Sequence, residues 1–232
     1  MDPNFTRFPN SDLNLRLGTQ SGSNDALLQK LYPLGCNLLA FDARNHGSSS
    51  PEKHPTIGTF SDDILAAVEF VDKSGWVSSG AICIVGLSIG GGAAINAAAW
   101  DARVNSEITV GAISHPIDVM MLEFQKRNIR NFIPRLLFGY MRLCFRINFD
   151  KTAPINNISN ANADILLIHG KEDETIPIEQ GQALAKAGNP AKNRLWIVPG
   201  KGHSNCNNHP KFWRNVGAFL QATLFTEKVI NE

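Results

Sequence analysis

The chain lacks most features that would commit it to a membrane, a disulfide scaffold or a polyanion. Its four cysteines, Cys36, Cys83, Cys144 and Cys206, are scattered through 232 residues and form no CxxC pair. Neither a disulfide framework nor a thiolate metal cluster is expected, and reduced thiols suit a cytoplasmic location. Charge of one sign is absent too, with 22 Lys+Arg against 21 Asp+Glu, so no global field draws the protein to nucleic acid. No apolar run approaches the roughly 20 residues that span a bilayer. The opening MDPNFTRFPNSDLNLRL has neither the basic start nor the apolar centre of a signal peptide, which predicts a protein without a transmembrane segment. HExxH, GxGxxG and GK[ST] are all missing, so neither a metal nor a nucleotide cofactor is expected. At 43% hydrophobic and 19% charged residues, the composition fits one globular domain over 1–232.

Five short runs rich in Val, Ile and Leu are present: Cys36 to Phe41, Ala81 to Val85, Ile108 to Ile113, Ile165 to Ile168 and Leu195 to Val198. They are nearly continuous rather than alternating, as expected of strands covered on both faces. Helical spacing separates them. Ile64, Leu65, Val68 and Val71 follow Ser61, a residue suited to an N-cap; further helices are predicted over Ala93 to Trp100, Pro177 to Gly188 and Lys211 to Thr226. Alternating strands and helices predict an α/β class with a mainly parallel sheet. About fifty residues, 114–163, interrupt the alternation and read as a helical cap insertion, apolar on one side and basic on the other.

Gly86-Leu87-Ser88-Ile89-Gly90 is a GxSxG between an apolar strand and a small-residue helix. That context predicts a sharp strand-to-helix turn lifting the Ser88 hydroxyl to the N-terminus of a helix, where developing negative charge is favoured. A serine hydroxyl is a poor nucleophile near neutral pH without a base, and the base needs an orienting group. Of six histidines, His203 lies in the loop between the last strand and the last helix, at the same sheet edge as Ser88. The preceding strand leads into Glu172-Asp173-Glu174, three adjacent acids of which one can hold the imidazole.

With GLSIGG, HGKEDETIP and VPGKGH in this order, the chain resembles the α/β-hydrolase superfamily, and within it bacterial hydrolases of the serine-aminopeptidase or esterase type. The resemblance covers about Leu31 to the C-terminus. It implies an α/β-hydrolase fold and selects Asp173, the fifth position of the HGxxDxxVP segment, as the acid. A fourth segment, Phe41 to Ser48, resembles the DxRGHGxS turn of that superfamily, with Asn45 where glycine is usual. His46 and His169 are then expected to stabilise the turn and to pack beneath the acid loop, while His115 opens the cap and, together with Asp118, is a candidate for substrate contact.

The implied activity is cleavage of a carboxylic ester, or a thioester or amide, through an acyl-enzyme on Ser88, with His203 as base and Asp173 as orienting acid. The substrate would be a small-molecule ester, bound against Met120, Met121 and Phe124 of the cap. An oxyanion hole is also implied, with one backbone N–H from Ile89 and the second from Gly18 or Thr19. Leu17 occupies the position where that superfamily usually has histidine. Almost no residues remain ahead of Leu13 for further strands. The degenerate early segment leaves a second reading open, a hydrolase-like ligand-binding or interaction protein with little turnover.

Overall fold

The computed structural model describes residues 6–8, 15–18, 29–75 and 82–224. Seven strands form one sheet: β1 (Thr6–Phe8), β2 (Leu15–Gly18), β3 (Asn37–Ala40), β4 (Ile82–Leu87), β5 (Val104–Val110), β6 (Asp164–Gly170) and β7 (Asn193–Val198). Their order is β1-β3-β2-β4-β5-β6-β7. β1 runs antiparallel to β3 and every other pairing is parallel. Parallel pairing brings the carboxyl ends of β2 to β7 to one edge, which is where the loops after β4, β6 and β7 emerge.

Helices cover both faces. On one face lie α1 (Ile57–Ser74), α2 (Ile89–Trp100) and α6 (Ile178–Ala187), with Ile64, Val68, Ile95 and Leu184 fully buried against Ile84, Ile165 and Leu167. On the other lies α7 (Phe212–Leu224), whose Phe212, Val216, Phe219 and Leu220 pack on Val85, Ile108, Ile168 and Val198. β4 is buried from Ile82 to Gly86, which accounts for its unbroken apolar run. Between β5 and β6 come α3 (Pro116–Lys126), α4 (Phe132–Cys144) and the short α5 (Pro154–Asn157). α3 and α4 meet through Phe124 and Phe138, ring centroids 6.2 Å apart. Lys126 Nζ donates to the Glu174 carbonyl at 2.9 Å, which ties α3 to the loop after β6. Among the described residues no helix is long and apolar enough to cross a membrane. All four cysteines are thiols, and only Cys144 is exposed.

Three local expectations need correction. The first helix is capped by Thr56, not Ser61: Thr56 Oγ1 accepts from Thr59 N–H while Thr59 Oγ1 accepts from Thr56 N–H, a reciprocal pair that starts the helix five residues earlier. Ser61 is buried inside the helix and donates to the Ile57 carbonyl. β5 starts at Val104 rather than Ile108 and ends before Gly111, because its first half carries buried polar residues that hide its strand character. Two strands precede β3, so the segment before Leu13 supplies β1, the antiparallel edge.

That polar stretch has a thermodynamic consequence. Glu107 is fully buried between Ile84 and Ile165, and neither carboxylate oxygen meets a hydrogen-bond partner among the described residues. Burial in apolar surroundings pushes its carboxyl well above the usual range, so the folded protein keeps the proton. As pH rises past the ordinary carboxylate value, the unfolded chain releases that proton and the folded state does not. The contribution of Glu107 to stability therefore falls with rising pH. Thermal unfolding across pH 5 to 9 is expected to show Glu107→Gln gaining on the parent by a few degrees at the alkaline end, about 1 kcal/mol for a chain of this size. Parallel curves for the two proteins would assign the pH dependence to other groups.

Candidate active site

Ser88 sits between β4 and α2 with φ 53° and ψ −122°, a left-handed conformation that non-glycine residues rarely adopt. The turn is held from both sides. Ser88 N–H donates to the Val110 carbonyl at 2.9 Å, and the Ser88 carbonyl accepts from Gly91 and Gly92 N–H at 3.1 and 3.2 Å. It is also tight enough to require glycine: a Cβ at Gly86 would lie 2.5 Å from the Gly90 carbonyl oxygen and 2.7 Å from Gly91 Cα. Ile89 is the first residue of α2, where a backbone N–H has no carbonyl one turn back inside the helix. Leu87 and Ile89, on either side of Ser88, are both exposed.

His203 and Asp173 meet. His203 Nδ1 lies 2.8 Å from Asp173 Oδ2, and the Asp173 side chain is wholly buried. Its other oxygen, Oδ1, accepts from the backbone N–H of Thr175 at 3.0 Å and Ile176 at 2.8 Å. Since the carboxylate accepts, Nδ1 carries the hydrogen, and in the neutral imidazole Nε2 is then the acceptor. Glu172 and Glu174 are exposed and supply only backbone groups: Glu172 N–H donates to the Lys201 carbonyl at 3.0 Å. The acid and histidine loops touch so closely that a Cβ at Gly170 would fall 2.5 Å from the Gly202 carbonyl oxygen.

Ser88 and the His203–Asp173 pair converge on the end of β5. Val110 receives the Ser88 N–H, and the next residue, Gly111, at φ 61°, lies beneath the pair: a Cβ there would be 3.0 Å from His203 Nδ1 and 3.3 Å from Asp173 Oδ2. Gly111 escaped the sequence reading because it looks like one more glycine in a strand; its one signal is its place directly after the strand beside the GxSxG. Gly18 ends β2 in register with Val85, three residues before Ser88. Thr19, the other oxyanion candidate, lies outside the described residues.

The remaining histidines have structural partners. His169 Nε2–H donates to the Ile176 carbonyl at 2.8 Å, so it lies under the acid loop, with Asp173 Oδ2 at 3.6 Å. His46 Nδ1 lies 3.1 Å from the Arg44 carbonyl and its ring meets Phe60 edge-on. Asn45 beside it has φ 63°, which explains why this position tolerates Asn in place of glycine. His115 caps α3, accepting from Ile117 N–H on Nδ1, and its Nε2 lies 3.3 Å from Asp150 Oδ1. Met120, Met121 and Phe124 lie half-buried on α3. Burial and the nearby Asp173 charge push the Cys206 thiol up to about 11, so it is an unreactive core thiol. No cluster of three or more His, Cys, Asp or Glu suited to a metal occurs among the described residues.

A central parallel sheet with an antiparallel edge strand, a strained serine turn and a His–Asp pair at the carboxyl edge define the α/β-hydrolase fold. The Pyrococcus furiosus esterase Pf2001 superposes with a TM-score of 0.74 at 20% identity, over 95% of this chain and 85% of that one. The prolyl oligopeptidase family profile matches residues 54–226, three quarters of the sequence, and the chain belongs to that family. The human protein ABHD12B is 28% identical over 211 residues, 84% of this chain. Acylamino-acid-releasing enzyme 1 of Oryza sativa subsp. japonica is 27% identical over 172 residues, 67% of this chain. The chain spans 55% of the length of the human protein and 22% of the rice enzyme.

Gly111→Ala is expected to lower stability by about 1–2 kcal/mol, the cost of a left-handed alanine, or roughly 2–8 °C in Tm. It also presses on the His203 ring, so the His203 imidazole resonances should move more than those of His209 in an NMR spectrum. An unchanged Tm and spectrum would show that the loop absorbs the methyl group.

Proposed function

We propose that this protein is a serine hydrolase that cleaves a carboxylic ester, with a thioester or amide as lesser substrates. The carrying observation is the buried Asp173 bonded at 2.8 Å to His203 Nδ1, on a glycine adjacent to the residue that anchors Ser88. Asp173 fixes the His203 tautomer, so Nε2 takes the proton of the Ser88 hydroxyl as its oxygen attacks the ester carbonyl. The tetrahedral oxyanion is met by the Ile89 N–H at the start of α2, with a second donor from the segment at Gly18 and Thr19. Collapse expels the alcohol, protonated by His203, and leaves an acyl group on Ser88. Water, activated by the same His203 nitrogen, releases the acid. The exposed side chains of Leu87 and Ile89 and the half-buried Met120, Met121 and Phe124 support an apolar acyl pocket. Four thiols without a disulfide favour a reducing, cytoplasmic compartment.

A fluorophosphonate probe is expected to label the protein at Ser88, and Ser88→Ala to abolish labelling. Equal labelling of that variant would remove Ser88 from the mechanism. Hydrolysis of p-nitrophenyl acetate and butyrate should fall roughly 10³–10⁴-fold in Asp173→Asn, because the amide can hold the wrong imidazole tautomer. If parent and variant are equally slow, the protein is a ligand-binding member of its fold instead.

A further inference from the structure

The cap helix α4 is amphipathic in the wrong direction for a helix packed on a protein. It rests on the body through Pro134 and Phe138, while Phe132 (55%), Leu136 (68%), Tyr140 (54%) and Leu143 (81%) are open to solvent, together with Ile133 and Leu137. At 100° per residue these six side chains fill one arc of about 140° along a helix of about 20 Å. Arg135 and Arg142 border that arc on the side away from Leu137. The apolar arc continues past the end of α4: the Phe145 ring lies 5.6 Å from Tyr140 and 4.5 Å from His54. There it meets a pocket of about 380 Å³ whose lining includes His54, Phe145, Arg146 and Lys151 and no carboxylate. Between residues 116 and 151 stand seven Lys and Arg against three acids. Of those acids, Glu123 pairs with Lys126, and Asp150 with Arg142 and His115. Arg127, Arg130, Arg135, Arg146 and Lys151 form no ion pair with any described residue.

We propose that this face of the cap docks on a bilayer containing anionic phospholipid, with the apolar arc of α4 set into the headgroup–acyl boundary and the pocket at Arg146 and Lys151 receiving a lipid phosphate. A broad apolar arc bordered along one side by arginines fits a helix lying in the interface plane. Unpaired cations around it supply the charge complement to an anionic leaflet. A second copy of the chain fits less well. An antiparallel two-fold pairing of the arcs would set Arg135 and Arg142 of one copy near the same residues of the other, and like charges across an interface disfavour it. A bilayer offers both the apolar layer and the counter-charge. The surface lies outside the serine turn, so docking is measured without turnover.

Co-sedimentation with vesicles tests it. Phosphatidylcholine vesicles containing about one third phosphatidylglycerol are expected to pellet the protein, pure phosphatidylcholine at least tenfold less, and added salt to weaken the anionic case. Leu136→Ser/Leu143→Ser should lower the partition at least tenfold. Arg146→Gln/Lys151→Gln should lower it roughly fivefold for each charge removed. All four side chains are exposed, and unchanged circular dichroism and Tm would certify the variants. The proposal is overturned if the parent stays in the supernatant with both vesicle types, or if either double variant binds anionic vesicles like the parent. It is also overturned if light scattering shows a dimer that Leu136→Ser/Leu143→Ser dissociates, since the arc would then belong to a second copy.

Discussion

Three backbone hydrogen bonds at the carboxyl edge of the sheet carry the arrangement of the site. Ser88 N–H donates to Val110, Gly111 N–H to Ile168, and Lys171 N–H to Val198, at 2.9, 2.9 and 3.0 Å. Each extends the ladder between neighbouring strands by one step past the strand end, so the serine turn, the acid loop and the histidine loop leave the sheet in fixed register. Side-chain geometry follows from this. Asp173 and His203 come from different loops, yet Lys171 N–H to Val198 and Glu172 N–H to Lys201 hold those loops before either side chain is placed.

Much of this was legible in the sequence because it rests on local rules. The runs at Ile82 to Val85 and Ile165 to Ile168 are strands buried on both faces, a position that favours unbroken apolar residues. Pro177 and Gly188 bracket α6, the first as N-cap and the second as C-cap. The candidate triad residues carried signals of their own in GxSxG, in the acid run after a strand, and in a histidine after the last strand.

What stayed hidden depends on tertiary neighbours. Val104 to Glu107 reads as polar surface, but Ser106 and Glu107 are fully buried, a cost met by the surrounding structure and not by local pattern. Thr6 to Phe8 is too short to announce a strand without β3 to pair with. Thr56 outranks Ser61 as cap because the reciprocal bond needs a hydroxyl three residues on, and Thr59 supplies it. Gly111 matters for what lies above it, and no sequence window contains Asp173 and His203 together with it.

The segment between β5 and β6 is fastened at its two roots. At its entrance, Ser114 N–H and Oγ–H both donate to Gln180 Oε1 of α6, at 2.9 and 2.6 Å. At its exit, Asn96 of α2 donates to the Thr152 carbonyl and accepts from Asn157, both at 2.8 Å. Both anchors are side chains of core helices and neither belongs to the loop between them. The stretch from residue 116 to 151 therefore hangs between two points fixed on the core helices. The two anchors work as a socket whose position is set by the core helices and not by the residues it holds.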